Sequence, residues 1–147
     1  MNPDIRKHKK IIKKLLLGQI LFLLLLYYKL AIRIYSFEKL IRNSSSGEGT
    51  EFNHENAKNN RRIFVIKESI DKTTLQYKFL GFKCYEKALT VKTVLSLLNI
   101  GCTVHFGIKK NNRNIIEAHA WCVSEGIVVT GYEYMKEFTQ VYCAKFK

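Results

Sequence analysis

The sequence predicts an α+β fold in which amino-terminal helices precede a helix packed on a small antiparallel sheet. Apolar residues recur at helical spacing over most of residues 5–98, whereas beyond residue 102 they alternate as in strands. Turn-forming sequences separate those later strands. With 147 residues, of which 47% are hydrophobic, the chain is long and apolar enough to bury a core.

The first third of the chain has the strongest helical pattern, over residues 5–42. Its uncharged stretch, Leu15 to Tyr28, has 14 residues and follows a cluster of lysines. This is shorter than the roughly 18–20 residues that cross a bilayer. An apolar stripe continues beyond it and predicts one buried helix face. The stripe comprises Leu30, Ile34, Phe37 and Ile41.

This amino-terminal pattern fits three arrangements. The helix packs against the rest of the domain or a protein partner, lies on an anionic membrane surface, or spans a membrane. The net charge of +13 suits acidic peptides, nucleic acid and anionic lipid alike. We expect no nucleic-acid partner, because the lysines are dispersed and are not interleaved with aromatic residues.

A polar, glycine-bearing stretch divides the chain. The sequence predicts a leucine-rich basic helical region at 1–45, a flexible connection at 46–54 and a core domain at 55–147. A second helix is predicted over about 55–77, with one apolar face. That face comprises Ile63, Ile66 and Ile70.

A third predicted helix begins at Cys84 and ends before Asn99-Ile100-Gly101. Its apolar residues at helical spacing are Ala88, Val91, Leu95 and Leu98. A cysteine in the first turn lies among unpaired backbone N–H groups at the positive end of the helix dipole. Such surroundings favour the thiolate, the nucleophilic form of cysteine.

Alternating residues predict strands over Thr103–Lys109 and Ile115–Ser124. Glu125-Gly126 is typical of a tight hairpin into a further strand, Ile127–Thr130. The stretch Tyr132–Lys147 mixes aromatic and basic residues, and it is consistent with either a helix or a strand.

His119 lies in the middle of the second predicted strand. By the two-residue period of a strand, Glu117, His119 and Trp121 share one face. The small residues Ala118 and Ala120, which flank His119 in sequence, point to the other face. A thiol at a helix start beside a strand imidazole is the Cys–His pair of papain-like chemistry. The alternative is a buried, inert Cys84 and a structural histidine.

Other polar and aromatic residues have ordinary structural interpretations beside functional ones. Trp121 is expected in the core or in the wall of a cleft, and Glu117 as a solvated carboxylate or a substrate contact. His105 is expected to be structural. No cysteine or histidine spacing is typical of a metal site, so no metal or cofactor is expected. Because no secretory signal is apparent, Cys102, Cys122 and Cys143 are expected as free thiols in a reducing compartment.

Four segments together resemble the lasso peptide leader peptidases, which belong to the transglutaminase-like superfamily. They are KCYEKAL from Lys83, LLNIG from Leu97, VHFGI from Val104 and AHAW from Ala118. The resemblance is close over residues 83–131 and looser in the leading helical region. It implies a transglutaminase/papain-like core, with Cys84 as the nucleophile and His119 as the general base and later acid.

The resemblance also implies a substrate and partners. The expected activity is a cytoplasmic cysteine peptidase that cleaves the leader from a ribosomally made lasso precursor peptide, through a thioester, ahead of macrocyclisation. Expected partners are a separate leader-recognition protein and an ATP-dependent lasso cyclase, with possible membrane association through the amino-terminal helix. The competing hypothesis is a basic binding or scaffold protein without catalysis.

One position departs from the family pattern. The family places an acidic residue that orients the histidine about a dozen positions after it, where this chain has Gly131. Glu133 is a candidate for that role if the strand is bulged, and a backbone carbonyl is the alternative holder of the imidazole.

Overall fold

The computed structural model describes residues 3–35, 39, 45–46 and 57–146. Phe37 and Ile41 of the predicted amino-terminal stripe lie outside the described residues. So does the predicted flexible connection, apart from Ser46.

Helices occupy the first part of the described chain and pack side by side. The first is long, and the second and third match the predicted helices near 55–77 and from Cys84. Their bounds are α1 Pro3–Ile34, α2 Ala57–Gln76 and α3 Cys84–Leu97. A short 3₁₀ turn, Lys78–Leu80, leads from α2 towards α3.

The strands form one antiparallel sheet in the order β1-β5-β2-β3-β4. Their bounds are β1 Ser45–Ser46, β2 Cys102–Lys110, β3 Ile116–Ser124, β4 Ile127–Thr130 and β5 Thr139–Phe146. The carboxy-terminal stretch is therefore a 3₁₀ turn followed by a strand, and that strand pairs with β2. The predicted α+β arrangement, with helices preceding an antiparallel sheet, is confirmed.

The β3–β4 hairpin has the predicted two-residue turn. Glu125 and Gly126 both have positive φ, at 48° and 73°, as the type I′ hairpin turn requires. Just before this turn the β3–β4 register shifts between Cys122 and Val123. The shift changes how the chain leaving β4 lies against β3.

The helices α1, α2 and α3 contribute to a single hydrophobic core with one face of the sheet. The predicted apolar face of α2, Ile63, Ile66 and Ile70, is buried. On α3, Leu89 and Leu95 are buried, whereas Leu98 lies just beyond the helix and is exposed. The sheet contributes the side chains that alternate towards α3. They include Val104, Ala120, Cys122 and Ala144.

The buried face predicted for α1 is wrong. Leu30 and Ile34 are exposed, and the residues in the core are Leu21, Leu25, Tyr28 and Ala31. Because this helix is apolar nearly all round, its sequence periodicity does not reveal which side the rest of the protein covers.

Side chains of α1 also form polar contacts with the rest of the domain. The Tyr28 hydroxyl lies 2.7 Å from that of Thr93 on α3. Lys29 Nζ donates a 2.6 Å hydrogen bond to the carbonyl of Leu80, in the turn that follows α2. One face of α1 therefore packs on the domain, the first of the three arrangements expected from its sequence.

Candidate active site

Cys84 and His119 line the same cleft, which has a volume of ≈ 310 Å³. The remaining wall comes from α1, α3, β2 and β3. Its residues are Ile32, Tyr85, Phe106, Ala118 and Ala120. The cleft is thus a largely apolar hollow whose lining includes Cys84 and His119, the two residues that the sequence singled out.

Cys84 is the first residue of α3, and a side-chain cap holds the helix start in place. Lys83 precedes it in an extended conformation, and the Lys83 backbone N–H donates a 2.8 Å hydrogen bond to the Glu86 carboxylate. Glu86 is buried, so this contact fixes the chain where it enters the helix. The thiol of Cys84 is consequently held at the amino-terminal end of the helix, where the dipole favours negative charge.

His119 is held by the backbone at the end of β4. Its Nε2 lies 2.8 Å from the carbonyl oxygen of Gly131. A carbonyl only accepts hydrogen bonds, so in this contact Nε2 carries the proton and donates it. In the neutral ring the lone pair then resides on Nδ1, which is the nitrogen available to accept a proton.

Two aromatic rings restrict the plane of the imidazole. Phe138 stacks on His119 with ring centroids 5.0 Å apart, and Trp121 stacks on it at 6.1 Å. Trp121 is buried on the face of β3 opposite Ala120. Of the two positions expected for Trp121, it therefore takes the buried one and packs on the histidine.

Gly131 occupies a position that admits no side chain. Its φ is 80°, in the region that favours glycine, and an added Cβ would overlap the carbonyl oxygen of Ala120. The same Cβ would lie 2.8 Å from Cβ of Trp121. An aspartate at this position would not fit the observed backbone, and the carbonyl of Gly131 contacts the imidazole in place of a carboxylate.

The two carboxylates named as candidates, Glu133 and Glu117, are both exposed. His119 bonds to the backbone carbonyl of Gly131, the alternative to Glu133 that the sequence left open. Glu117 is exposed and accepts a 3.0 Å hydrogen bond from Asn111. Its other oxygen lies 3.4 Å from Nζ of Lys109, so Glu117 is a solvated, ion-paired carboxylate.

All four cysteines are among the described residues, and none of them forms a disulfide bond. Cys102 and Cys122 are completely buried. The hydrogen bond with Cys102, together with burial, raises the pKa of the Cys122 thiol, which keeps it protonated. Cys84 and Cys143 are partly exposed. In the part of the chain that the structure describes, no cluster of three His, Cys, Asp or Glu residues could hold a metal ion.

Sequence reasoning did not single out two neighbours of the site. Phe138 reaches His119 from the segment before β5, and Ile32 reaches the cleft from α1. Neither lies in a motif, because the tertiary fold alone brings distant segments to the cleft. The Gly131 carbonyl did have a sequence signal, namely a glycine at the place of the usual acid.

With this geometry in view, comparison with known proteins defines the class. The profile of the transglutaminase-like superfamily matches residues 24–143, from the middle of α1 into β5, and so includes Cys84 and His119. The chain belongs to this superfamily, which includes cysteine peptidases. Comparisons with curated proteins and with solved structures find no match.

Proposed function

We propose that this chain is a cysteine peptidase that removes the leader from a lasso precursor peptide. The observation that carries the proposal is the common cleft, lined by a cysteine at a helix start and by a histidine whose Nε2 is bonded to the backbone. Membership of the superfamily supports the peptidase class. The four motif segments around Cys84 and His119 support the lasso substrate.

In the first half of the reaction, Nδ1 of His119 accepts the proton of the Cys84 thiol. The thiolate attacks the scissile carbonyl carbon, and the carbonyl oxygen becomes an oxyanion. Backbone N–H groups at the start of α3, including that of Cys84, are the donors proposed to stabilise it. The imidazolium then gives its proton to the leaving amine, the C–N bond breaks, and a thioester remains.

In the second half, His119 takes a proton from water as the water attacks the thioester. Collapse of the second tetrahedral intermediate breaks the C–S bond, releases the leader as a carboxylic acid and returns the proton to Cys84. The Gly131 carbonyl stays bonded to Nε2–H throughout. It therefore stabilises the imidazolium that forms in each half and keeps Nδ1 as the reacting nitrogen.

The walls of the cleft favour apolar substrate side chains. Ile32, Tyr85 and Phe106 surround the nucleophile, and in the cleft wall the polar groups are few. A precursor residue next to the cut is therefore expected to be small or apolar. A separate recognition protein would bind the leader, the lasso cyclase would consume the released core, and the reaction would take place in the cytoplasm.

The decisive experiment combines cleavage with labelling of the thiols. The full chain is mixed with a lasso precursor and the recognition protein encoded beside it, and products are followed by mass spectrometry. Cys84→Ala is expected to reduce cleavage by at least about 10³-fold, since the covalent step is lost. Iodoacetamide is expected to modify Cys84 and abolish cleavage, while Cys102 and Cys122 react only after unfolding.

Cys143→Ala is the matched control, because Cys143 is the other partly exposed thiol. It should cleave like the unaltered chain. Cleavage by Cys84→Ala at the unaltered rate would refute the nucleophile. A chain that binds precursor with strong salt dependence, yet never cleaves and is indifferent to alkylation, would instead be the basic binding or scaffold protein.

A further inference from the structure

The side of α1 that faces away from the domain carries a continuous apolar stripe. Its seven residues are each between 49% and 75% exposed. Successive members of the stripe are three or four residues apart, so they lie on one narrow face of the helix. The stripe comprises Ile12, Leu16, Ile20, Leu23, Tyr27, Leu30 and Ile34.

The stripe is long and free of charge. From Ile12 to Ile34 it extends about 33 Å at 1.5 Å per residue, and none of its members is polar except for the Tyr27 hydroxyl. The opposite face of α1 is occupied, since Leu21, Leu25 and Tyr28 pack in the core. An uncovered apolar surface of this length indicates a binding surface.

The charges of α1 determine what kind of surface would cover the stripe. The helix carries eight lysines and arginines and a single acid, Asp4. Six of these cations lie in the short segment from Arg6 to Lys14, at one end of the stripe, and Arg33 lies near the other end. Lys14 of that amino-terminal group forms an ion pair with Glu68. The helix therefore joins an exposed apolar stripe to an excess of positive charge concentrated at one end, and both features favour an anionic lipid surface.

Two other occupants fit this helix less well. A second copy would place cations beside cations, the amino-terminal cluster meeting its own counterpart in a parallel pair and Arg33 in an antiparallel one, whereas paired helices need charges of opposite sign beside the seam. A transmembrane position is suggested by the stretch Ile11–Ile34, which has a mean hydropathy of 2.1. However, spanning a bilayer would withdraw Leu21 and Leu25 from the core and break the Tyr28–Thr93 contact.

We propose that α1 lies on an anionic phospholipid surface, with the stripe buried at the headgroup boundary and its lysines against the lipid phosphates. The cleft would then lie beside the membrane, because Ile32 lines the cleft within one helical turn of Leu30 and Ile34. This proposal is independent of the peptidase assignment and concerns where the chain acts.

The test uses the purified full chain and vesicle flotation. Vesicles of phosphatidylcholine alone are compared with vesicles that also contain phosphatidylglycerol, at low and high salt. The chain is expected to float with the anionic vesicles and to be released as salt screens the lysines. The triple variant Leu16→Ser, Leu23→Ser, Leu30→Ser is expected to bind at least about tenfold more weakly, since apolar burial is lost.

Leu97→Ser is the matched control, because Leu97 is a leucine of similar exposure, 73%, at the end of α3 and outside the stripe. It should float like the unaltered chain. All substituted side chains are exposed, and circular dichroism with a thermal melt checks that the variants are folded.

Four results would overturn the proposal. The first is equal binding to neutral and anionic vesicles, and the second is unchanged binding by the triple variant. The third is retention in the membrane after alkaline carbonate extraction, which would indicate a transmembrane helix. The fourth is a dimer that the triple substitution dissociates, in a chain that does not bind vesicles, which would make a second copy the occupant.

Discussion

Two histidines flank Trp121, and the structure gives them different properties. His105 on β2 and His119 on β3 both stack on the indole, at 5.4 Å and 6.1 Å between ring centroids. Nδ1 of His105 lies 2.7 Å from the side-chain amide oxygen of Gln140, whereas Nε2 of His119 bonds to the backbone carbonyl of Gly131. Only His119 also lines the cleft that contains Cys84.

The partner of each ring decides what the ring can do. A glutamine amide offers both a donor and an acceptor and can rotate, so it is compatible with either tautomer of His105. A backbone carbonyl only accepts and cannot rotate away, so it fixes the proton of His119 on Nε2. Both histidines thus have an aromatic neighbour and a place on a strand. His119 differs in its backbone acceptor and in lining the cleft that Cys84 also lines.

The largest expected effect comes from removing each imidazole in turn. His119→Ala should reduce precursor cleavage by about 10²–10⁴-fold, because general acid–base catalysis is lost. His105→Ala should leave the cleavage rate within a few-fold of the unaltered chain, since His105 is not among the residues that line the cleft. Single-turnover cleavage, measured on variants shown to be folded, tests both. A loss from His105→Ala as large as that from His119→Ala would end the distinction between them.

The next effect concerns the backbone that holds His119. Gly131→Ala introduces a Cβ that overlaps Ala120 at positive φ, so the Gly131 carbonyl must move. We expect a loss of stability greater than the ~1–2 kcal/mol of left-handed strain alone, together with a marked fall in the cleavage rate of the folded fraction. Urea unfolding and cleavage assays measure the two parts.

Gly81→Ala is the control, because Gly81 also has positive φ, at 59°, but an added Cβ there meets nothing within 4 Å. It should cost about 1 kcal/mol or somewhat more, from strain alone, and leave cleavage unchanged.

Glu133→Gln separates the two candidate orienting groups. If this exposed carboxylate proves essential while Gly131→Ala remains active, Glu133 is the orienting residue after all.

The smallest effect is a pH dependence of stability. Partial burial lowers the pKa of His105 below its usual 6.5, and the hydrogen bond with Gln140 opposes that shift only in part. The unfolded chain therefore binds a proton more readily than the folded chain, so stability is complete above about pH 6.5 and declines as the pH falls below it. The change should be well under ~1 kcal/mol, because the ring is only half buried and solvent screens it.

Urea unfolding at pH 7.5 and 5.5 measures this decline, and His105→Gln should reduce it by removing the titrating group. If the variant and the unaltered chain decline equally, other groups cause the pH dependence.

Much of the fold was predictable because local patterns specify it. Four features depend only on neighbours in sequence. They are the isoleucine face of α2, the start of α3 at Cys84, the alternation of β2 and β3, and the Glu125-Gly126 turn. The face of α1 was not predictable. Nearly every side of that helix is apolar, and only its packing on α2 and α3 decides that Leu30 and Ile34 remain outside.

For the candidate site, the sequence by itself determined the residue types and their elements: a cysteine that opens a helix, a strand histidine between alanines, and a glycine where an acid is usual. The tertiary structure decided which groups meet. The β3–β4 register shift and the positive φ of Gly131 place a backbone carbonyl on His119, and Phe138 and Ile32 come to the site from distant segments. A backbone carbonyl is the same at every residue, so only the path of the chain could reveal that this one holds the imidazole.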